Sequence, residues 1–132
     1  MGMAGLLNPI AQEQGPGVID DEHLARMTLG DRKLEREVLE IFDRQMAMML
    51  KRIAGAEPAV AAAAAHTLLG SARGIGAWGV ARAAEKLENV AGTPNVPAMG
   101  EAVEALKAAT MAAGAAIRAR LRPRSAAPSR DH

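Results

Sequence analysis

Apolar side chains recur every three or four residues along two long segments of this chain, the spacing of an α-helix with one buried face. Phe and Trp occur once each and much of the apolar content is alanine, which favours helix over sheet. An all-α fold is therefore predicted. The periodic residues are Leu34, Val38, Ile41, Phe42, Met46, Met49 and Ile53 in one segment, and Met99, Val103, Leu106, Thr110, Ala113, Ile117 and Leu121 in the other.

Glycine and proline divide the chain into five predicted helices. Their predicted spans are 21–29, 32–54, 58–73, 77–91 and a last helix that follows the turn at 92–97 and ends at Leu121. Short connections between amphipathic helices favour antiparallel neighbours. We expect an up-down four-helix bundle with a short additional N-terminal helix over residues 20–122. Residues 1–19 are expected to be a flexible leader, and residues 123–132 a disordered tail.

The acidic run Asp20-Asp21-Glu22 has two interpretations. The first is an N-cap followed by an acidic first turn, and the same role is expected of Asp31 in the next helix. The alternative is a catalytic carboxylate pair. Acidic residues are common at helix starts, so the first interpretation is preferred.

The composition excludes several classes of function. A formal net charge of +1 gives no strong field for nucleic acid or for an anionic membrane. Cysteine is absent, and His23 and His132 are not at metal-ligand spacing from the third histidine, His66. Residues 1–16 lack the pattern of a secretory signal, and no apolar run is long enough to span a membrane. We expect a cytoplasmic protein without a bound metal.

His66 lies inside the third predicted helix, with Gly70 one helical turn after it. Glycine within a helix costs about 1 kcal/mol relative to alanine, which suggests that another molecule approaches the imidazole closely. On a wheel of about 100° per residue, Leu68 has the inward phase and His66 points away from the core. The small or apolar residues on the side of His66 are predicted to form a docking surface: Ala59, Ala62, Ala63, Leu69 and Gly70.

An exposed imidazole on such a surface has a specific chemical use. Its distal nitrogen is largely neutral and nucleophilic near pH 7, so that it can attack an activated phosphorus. The resulting phosphoramidate is reactive enough to pass the phosphoryl group to a second acceptor. We therefore predict that His66 receives and passes on a phosphoryl group. The alternative is a core histidine held by hydrogen bonds, which the inward phase of Leu68 disfavours.

The residues around His66 resemble the histidine-containing phosphotransfer (HPt) domains of bacterial multistep phosphorelays. The resemblance covers roughly residues 20–121, and Asp21-Glu22-His23-Leu24 and Phe42 fit it loosely. The matching stretch is Ala65-His66-Thr67-Leu68-Leu69-Gly70-Ser71-Ala72-Arg73-Gly74-Ile75-Gly76-Ala77-Trp78, which continues through Ala84-Glu85-Lys86-Leu87-Glu88.

The resemblance implies that His66 takes its phosphoryl group from the aspartyl phosphate of a receiver domain and gives it to another receiver. The implied partners are the receiver domains of response regulators or of a hybrid histidine kinase. It also implies a phosphoryl carrier without turnover of its own. No cofactor is expected, because the Mg²⁺ belongs to the receiver. A monomer is expected, since the face around His66 must stay open.

Two positions near His66 affect how efficiently the histidine would accept and pass on a phosphoryl group. Glu88 matches a place where relatives often have a polar residue beside the imidazole, and it would orient the ring, accept its proton or be an ordinary solvated carboxylate. Leu69 stands where the family usually has lysine, whose charge would offset the roughly −1.5 to −2 of a phosphoryl group. Arg73, about two turns from His66 on the same side, is a candidate to replace that lysine.

The missing lysine leaves three outcomes open: slower transfer, a partner that supplies the cation, or a protein that binds receivers without accepting phosphate. The leading interpretation is a phosphorelay intermediate. The alternative is a regulatory module that binds a receiver or kinase and is not phosphorylated. A histidine-bearing domain of a kinase is weaker, because no ATP-binding module is present in the sequence.

Overall fold

The computed structural model describes residues 18–122 as five helices joined by short turns. Helices α1 to α4 begin and end within two residues of their predicted bounds, and residues 18–122 contain no strand. The prediction of an all-α fold is confirmed. The predicted leader up to residue 17 and the predicted tail at 123–132 lie outside the described residues. The helices are α1 (Asp21–Met27), α2 (Arg32–Ile53), α3 (Pro58–Ile75), α4 (Trp78–Ala91) and α5 (Val96–Leu121).

The four long helices form an up-down antiparallel bundle, as the short turns between them require. Each helix packs against the next in the chain, and α5 returns to α2 and closes the bundle. The short α1 packs against α3. None of the five helices is long and apolar enough to cross a membrane. The shortness of the turn between α3 and α4 holds these two helices side by side, which matters for the site described below.

The core is aliphatic, with Phe42 as its one phenylalanine. The predicted inward positions of α5 are confirmed for Leu106 and Ile117, which are buried, and Val80 and Leu87 of α4 are buried as well. The buried core residues are Ile19, Leu24, Leu39, Phe42, Met46, Met49, Ile53, Ala61, Ala64, Ala65, Leu68, Leu69, Ala72, Ile75, Ala77, Val80, Ala81, Ala84, Leu87, Ala102, Leu106, Ala113 and Ile117.

The predicted inward stripe of α2 is wrong at two positions. Ile41 is 56% exposed and Leu34 is 39% exposed, whereas Leu39, which was not predicted, is buried. Ile41 lies about 100° around the helix from Phe42, and the bundle covers only the side of α2 on which Phe42 lies. Val60 of α3 is exposed for the same reason, because the bundle covers only one side of its helix.

Acidic side chains begin the first two helices, as predicted. Oδ1 of Asp20 accepts the backbone N–H of His23 at 3.1 Å, and Oδ1 of Asp31 accepts that of Leu34 at 3.0 Å. These bonds satisfy donors that a helix start leaves unpaired. Just before α1, Ile19 is buried in the core, so the bundle begins before residue 20 and the leader predicted to residue 19 is too long.

Gly76 ends α3 in a left-handed conformation with φ of +91°. Its carbonyl accepts the backbone N–H of Asp20 at 3.0 Å, which attaches the start of α1 to the turn between α3 and α4. A Cβ atom at Gly76 would lie 3.0 Å from Cβ of Asp20. Any other residue type would be strained both by this close contact and by the left-handed backbone. Glycine is therefore required at this junction.

Candidate functional site

The imidazole of His66 projects into solvent from the middle of α3. Its side chain is 72% exposed, while Ala61, Ala65 and Leu68 on the opposite side of the helix have no exposed surface. Pro58 begins α3, where its missing N–H leaves no hydrogen bond unmade. The alanines that follow build a helix whose outer face carries little bulk. The ring is accessible to a macromolecule that approaches from outside the bundle.

Glu88 of α4 is the hydrogen-bond partner of the His66 ring. Nδ1 of His66 lies 2.9 Å from Oε2 of Glu88, whose side chain is 32% exposed. An ionised carboxylate only accepts hydrogen bonds, so Nδ1 carries the proton in this contact. In the neutral ring the lone pair then resides on Nε2. Glu88 is thus a partner of the imidazole and not a free surface carboxylate.

Arg73 pairs with a different acid of α4. Its Nη2 atom lies 3.8 Å from Oε2 of Glu85, and both side chains are more than half exposed. Exposed pairs of this kind contribute about 0–1 kcal/mol. Glu85 and Glu88 are one turn apart on α4, so two polar contacts join α3 to α4 on the same side. Glu85 was not predicted as part of the site, although its spacing of three residues from Glu88 places both acids on one face of α4.

The predicted docking residues do not all lie on the surface. Ala59, Ala63 and Gly70 are exposed, and Ala62 is half-buried. A Cβ atom added to Gly70 would meet no atom within 4 Å, so packing inside the bundle gives no reason for glycine at this position. The open space at Gly70 is next to His66 on the outside of α3, one turn along the helix.

Leu69 is buried, which corrects its expected place on the docking surface. Only 6% of the residue is exposed. At about 100° per residue Leu69 lies about 60° from His66, toward the flank of α3 that α4 covers. The leucine therefore packs into the core, and its side chain offers no apolar contact to an incoming partner.

Asp20 and Trp78 form a second polar contact, away from His66. Nε1 of Trp78 donates to Oδ2 of Asp20 at 2.9 Å, and the ring of His23 packs edge-on against the indole. The Trp78 hydrogen bond and then the His23 backbone N–H hold the pKa of Asp20 below its ordinary value of 3.8. The acidic run at 20–22 therefore caps α1, and Trp78 attaches α1 to the start of α4 through Asp20.

The family comparison matches the part of the chain that builds this site. The model described as "Hpt domain" matches residues 36–116, more than half of the chain, and this span includes His66, Glu88 and all of α3 and α4. No curated protein and no solved structure matches the chain. Hpt domains are phosphotransfer carriers that interact with receiver domains and histidine kinases. The chain belongs to the Hpt domain family and has a phosphotransfer role in a phosphorelay.

Proposed function

We propose that Nε2 of His66 accepts a phosphoryl group from the aspartyl phosphate of a receiver domain and passes it to a second receiver. The observation that carries this proposal is the contact between Nδ1 of His66 and Oε2 of Glu88, in a ring whose side chain is 72% exposed. That contact places the proton on Nδ1 and leaves the lone pair on Nε2, which has no hydrogen-bond donor as partner among residues 18–122.

In the forward step the Nε2 lone pair attacks the phosphorus of the acyl phosphate. The N–P bond forms, the bond between phosphorus and the aspartyl oxygen breaks, and the aspartate leaves as a carboxylate. The imidazole gains a positive charge, which the carboxylate of Glu88 stabilises through the Nδ1–H bond. No proton has to leave the ring during the transfer.

In the return step a carboxylate of the second receiver attacks the same phosphorus. The N–P bond breaks, and the ring leaves as a neutral imidazole that still carries the proton on Nδ1. Glu88 acts as a positioning residue in both directions, because it fixes the tautomer and the orientation of the ring. The Mg²⁺ that neutralises phosphate charge is supplied by the receiver.

The exposed small residues around His66 make up the surface that a receiver would cover. Ala59, Ala63 and Gly70 leave room for its active-site loops, and half-buried Ala62 adds to the flat area beside the ring. Arg73 pairs with Glu85 at 3.8 Å in the unphosphorylated chain. When His66 is phosphorylated, the Arg73 guanidinium would leave this exposed acid and bind the phosphoryl oxygens instead. This exchange would supply the cation that Leu69 does not provide.

The test is incubation of the full chain with a receiver domain phosphorylated with labelled phosphate. We expect acid-labile, alkali-stable label on the wild-type chain and none on His66→Gln. The matched control is His132→Gln, which removes a histidine beyond the residues that the family model matches and is expected to keep the label. Label that persists in His66→Gln would disprove His66 as the acceptor.

A regulatory module that binds a receiver without being phosphorylated is the second candidate. The observation in its favour is Leu69, which is buried at the position where HPt domains usually carry lysine. The same incubation separates the two candidates when binding is measured in parallel. Stable binding of the receiver with no label on the wild-type chain would favour the silent module.

A further inference from the structure

Four arginines line a cavity at one end of the bundle, between the start of α2 and the end of α5. Its volume is about 410 Å³, within the range of sites that hold small molecules. Glu35 is the one acidic residue of the lining, and Leu39, Ala119 and Leu121 provide apolar surface. The arginines are Arg32, Arg36, Arg120 and Arg122.

About half of this positive charge is neutralised by acids in the part of the chain that the structure describes, which leaves about two net positive charges at the cavity. Nη2 of Arg120 lies 2.6 Å from Oδ1 of Asp21 and forms an ion pair. Arg36 donates to the backbone carbonyl of Leu121 at 3.3 Å, which orients the guanidinium without cancelling its charge. Within residues 18–122, Arg32 and Arg122 form neither an ion pair nor a side-chain hydrogen bond.

Helix stability does not account for the arginines of α2. Arg32 lies in the first turn, where the helix dipole is positive and a cation is unfavourable by about 0.3–1 kcal/mol, and Arg36 follows one turn later. The whole chain has a net charge of only +1, so this concentration of positive charge is local. An arrangement that disfavours the folded state and surrounds a cavity indicates a ligand of opposite charge.

We propose that this cavity binds a polyphosphate anion. Guanidinium groups present planar pairs of N–H donors that match phosphate oxygens, and Arg36 is already oriented by its bond to Leu121. The lining offers several such groups around a space larger than a single phosphate needs. The apolar lining of Leu39 and Leu121 accommodates the organic part if the phosphates belong to a nucleotide. This site is separate from His66, and the proposal does not depend on the phosphorelay role.

The experiment is isothermal titration of the full chain with inorganic tripolyphosphate and with ATP, in low salt and without divalent cations. We expect saturable binding with a Kd of about 10–100 μM and a loss of about tenfold or more in the double variant Arg32→Gln/Arg122→Gln. Tighter binding of ATP would identify a nucleotide site, and equal or tighter binding of tripolyphosphate a site for the inorganic chain. The double variant Arg44→Gln/Arg52→Gln is the control, because it removes the same number of charges from exposed positions of α2 outside the cavity.

Three results would overturn the proposal: no saturable binding of either anion, an equal loss in Arg44→Gln/Arg52→Gln, or displacement by sulfate at equal ionic strength. Circular dichroism of each variant shows that the bundle is intact. The His66→Gln chain is expected to bind the anion as the wild type does. Failure of either proposal is thus distinguishable from failure of the other.

Discussion

The indole nitrogen of Trp78 donates a 2.9 Å hydrogen bond to Oδ2 of Asp20, a residue 58 positions earlier in the chain. Oδ1 of the same carboxylate accepts the backbone N–H of His23, so one side chain caps α1 and attaches it to the start of α4. The Trp78 bond is the larger cause of the lowered pKa of Asp20, and the His23 N–H is the next. The ionised form of Asp20 therefore stabilises the fold.

Asp20→Ala is expected to destabilise the bundle by about 1–2 kcal/mol, because both a helix cap and the Trp78 contact are lost. Since the folded-state pKa lies below 3.8, the contribution is present above that pH and is lost as pH falls through the folded value. Urea unfolding of both proteins from pH 7 down to pH 3 measures the difference. A difference that grows on acidification would contradict this account.

Gly76→Ala is expected to cost about 1–3 kcal/mol, because the left-handed backbone disfavours a side chain and the new Cβ would crowd Asp20. Gly92→Ala is the matched control: its φ is −82° and its Cβ would meet only an ordinary contact at 3.7 Å. We expect Gly92→Ala to change stability by less than about 1 kcal/mol. Thermal unfolding of both variants measures the contrast, and equal losses would argue against a special role of the α3–α4 turn.

Glu88→Ala is expected to slow phosphoryl transfer to His66 about tenfold, since the ring loses the acceptor that fixes its tautomer and orientation. Glu88→Gln keeps an oxygen acceptor for Nδ1–H but loses the negative charge, and it is expected to restore part of the rate. The control is Glu101→Ala, which removes an exposed acid of α5 and is expected to leave the rate unchanged. The measurement is the rate of phosphoryl transfer from one labelled receiver to each variant. Equal losses of rate in the alanine and glutamine variants would indicate a purely structural role of Glu88.

Substitutions of Gly70 are expected to affect docking of the receiver without destabilising the fold. Because a Cβ at this position meets nothing, Gly70→Ala is expected to stabilise the bundle by about 0.5–1 kcal/mol. Gly70→Gln is expected to keep the fold and to slow transfer, since its side chain occupies space that the receiver needs. Gly100 of α5, where an added Cβ also meets nothing, supplies the control. Unchanged transfer in Gly70→Gln would remove Gly70 from the docking surface.

Leu69→Ala is expected to cost about 2–3 kcal/mol, because the side chain is buried against the core. Leu69→Met, which conserves volume, is expected to cost less than about 1.5 kcal/mol. Chemical denaturation measures both values. An alanine variant as stable as the wild type would contradict the burial of Leu69 and would support its predicted place on the docking surface.

The sequence predicted most of the fold because its helices carry strong local signals. The caps Asp20 and Asp31, the break at Gly76 and the periodicity of α4 and α5 each act within a few residues. The side of α3 on which His66 lies followed from the same periodicity. For these features, local preference and tertiary packing favour the same structure.

The positions that the sequence did not predict depend on where neighbouring helices lie. Leu69, Ile41 and Val60 all lie near the edge of an apolar stripe, and only the packed bundle determines which edge is covered. The hydrogen bond from Trp78 to Asp20 and the pair of Arg73 with Glu85 join separate helices, so no spacing within one helix predicts them. Glu88 was assigned to His66 through family resemblance and not through periodicity.

His66 and Glu88 stand on two regular helices joined by a short turn, and neither side chain belongs to a loop. The geometry of the proposed acceptor consequently needs no loop of the bundle, and nothing within residues 18–122 covers the ring. A conformational change that accompanies phosphoryl transfer would then be expected in the receiver domain and not in these two helices. The transfer rate would be set by how fast the two proteins associate and by the conformational dynamics of the receiver.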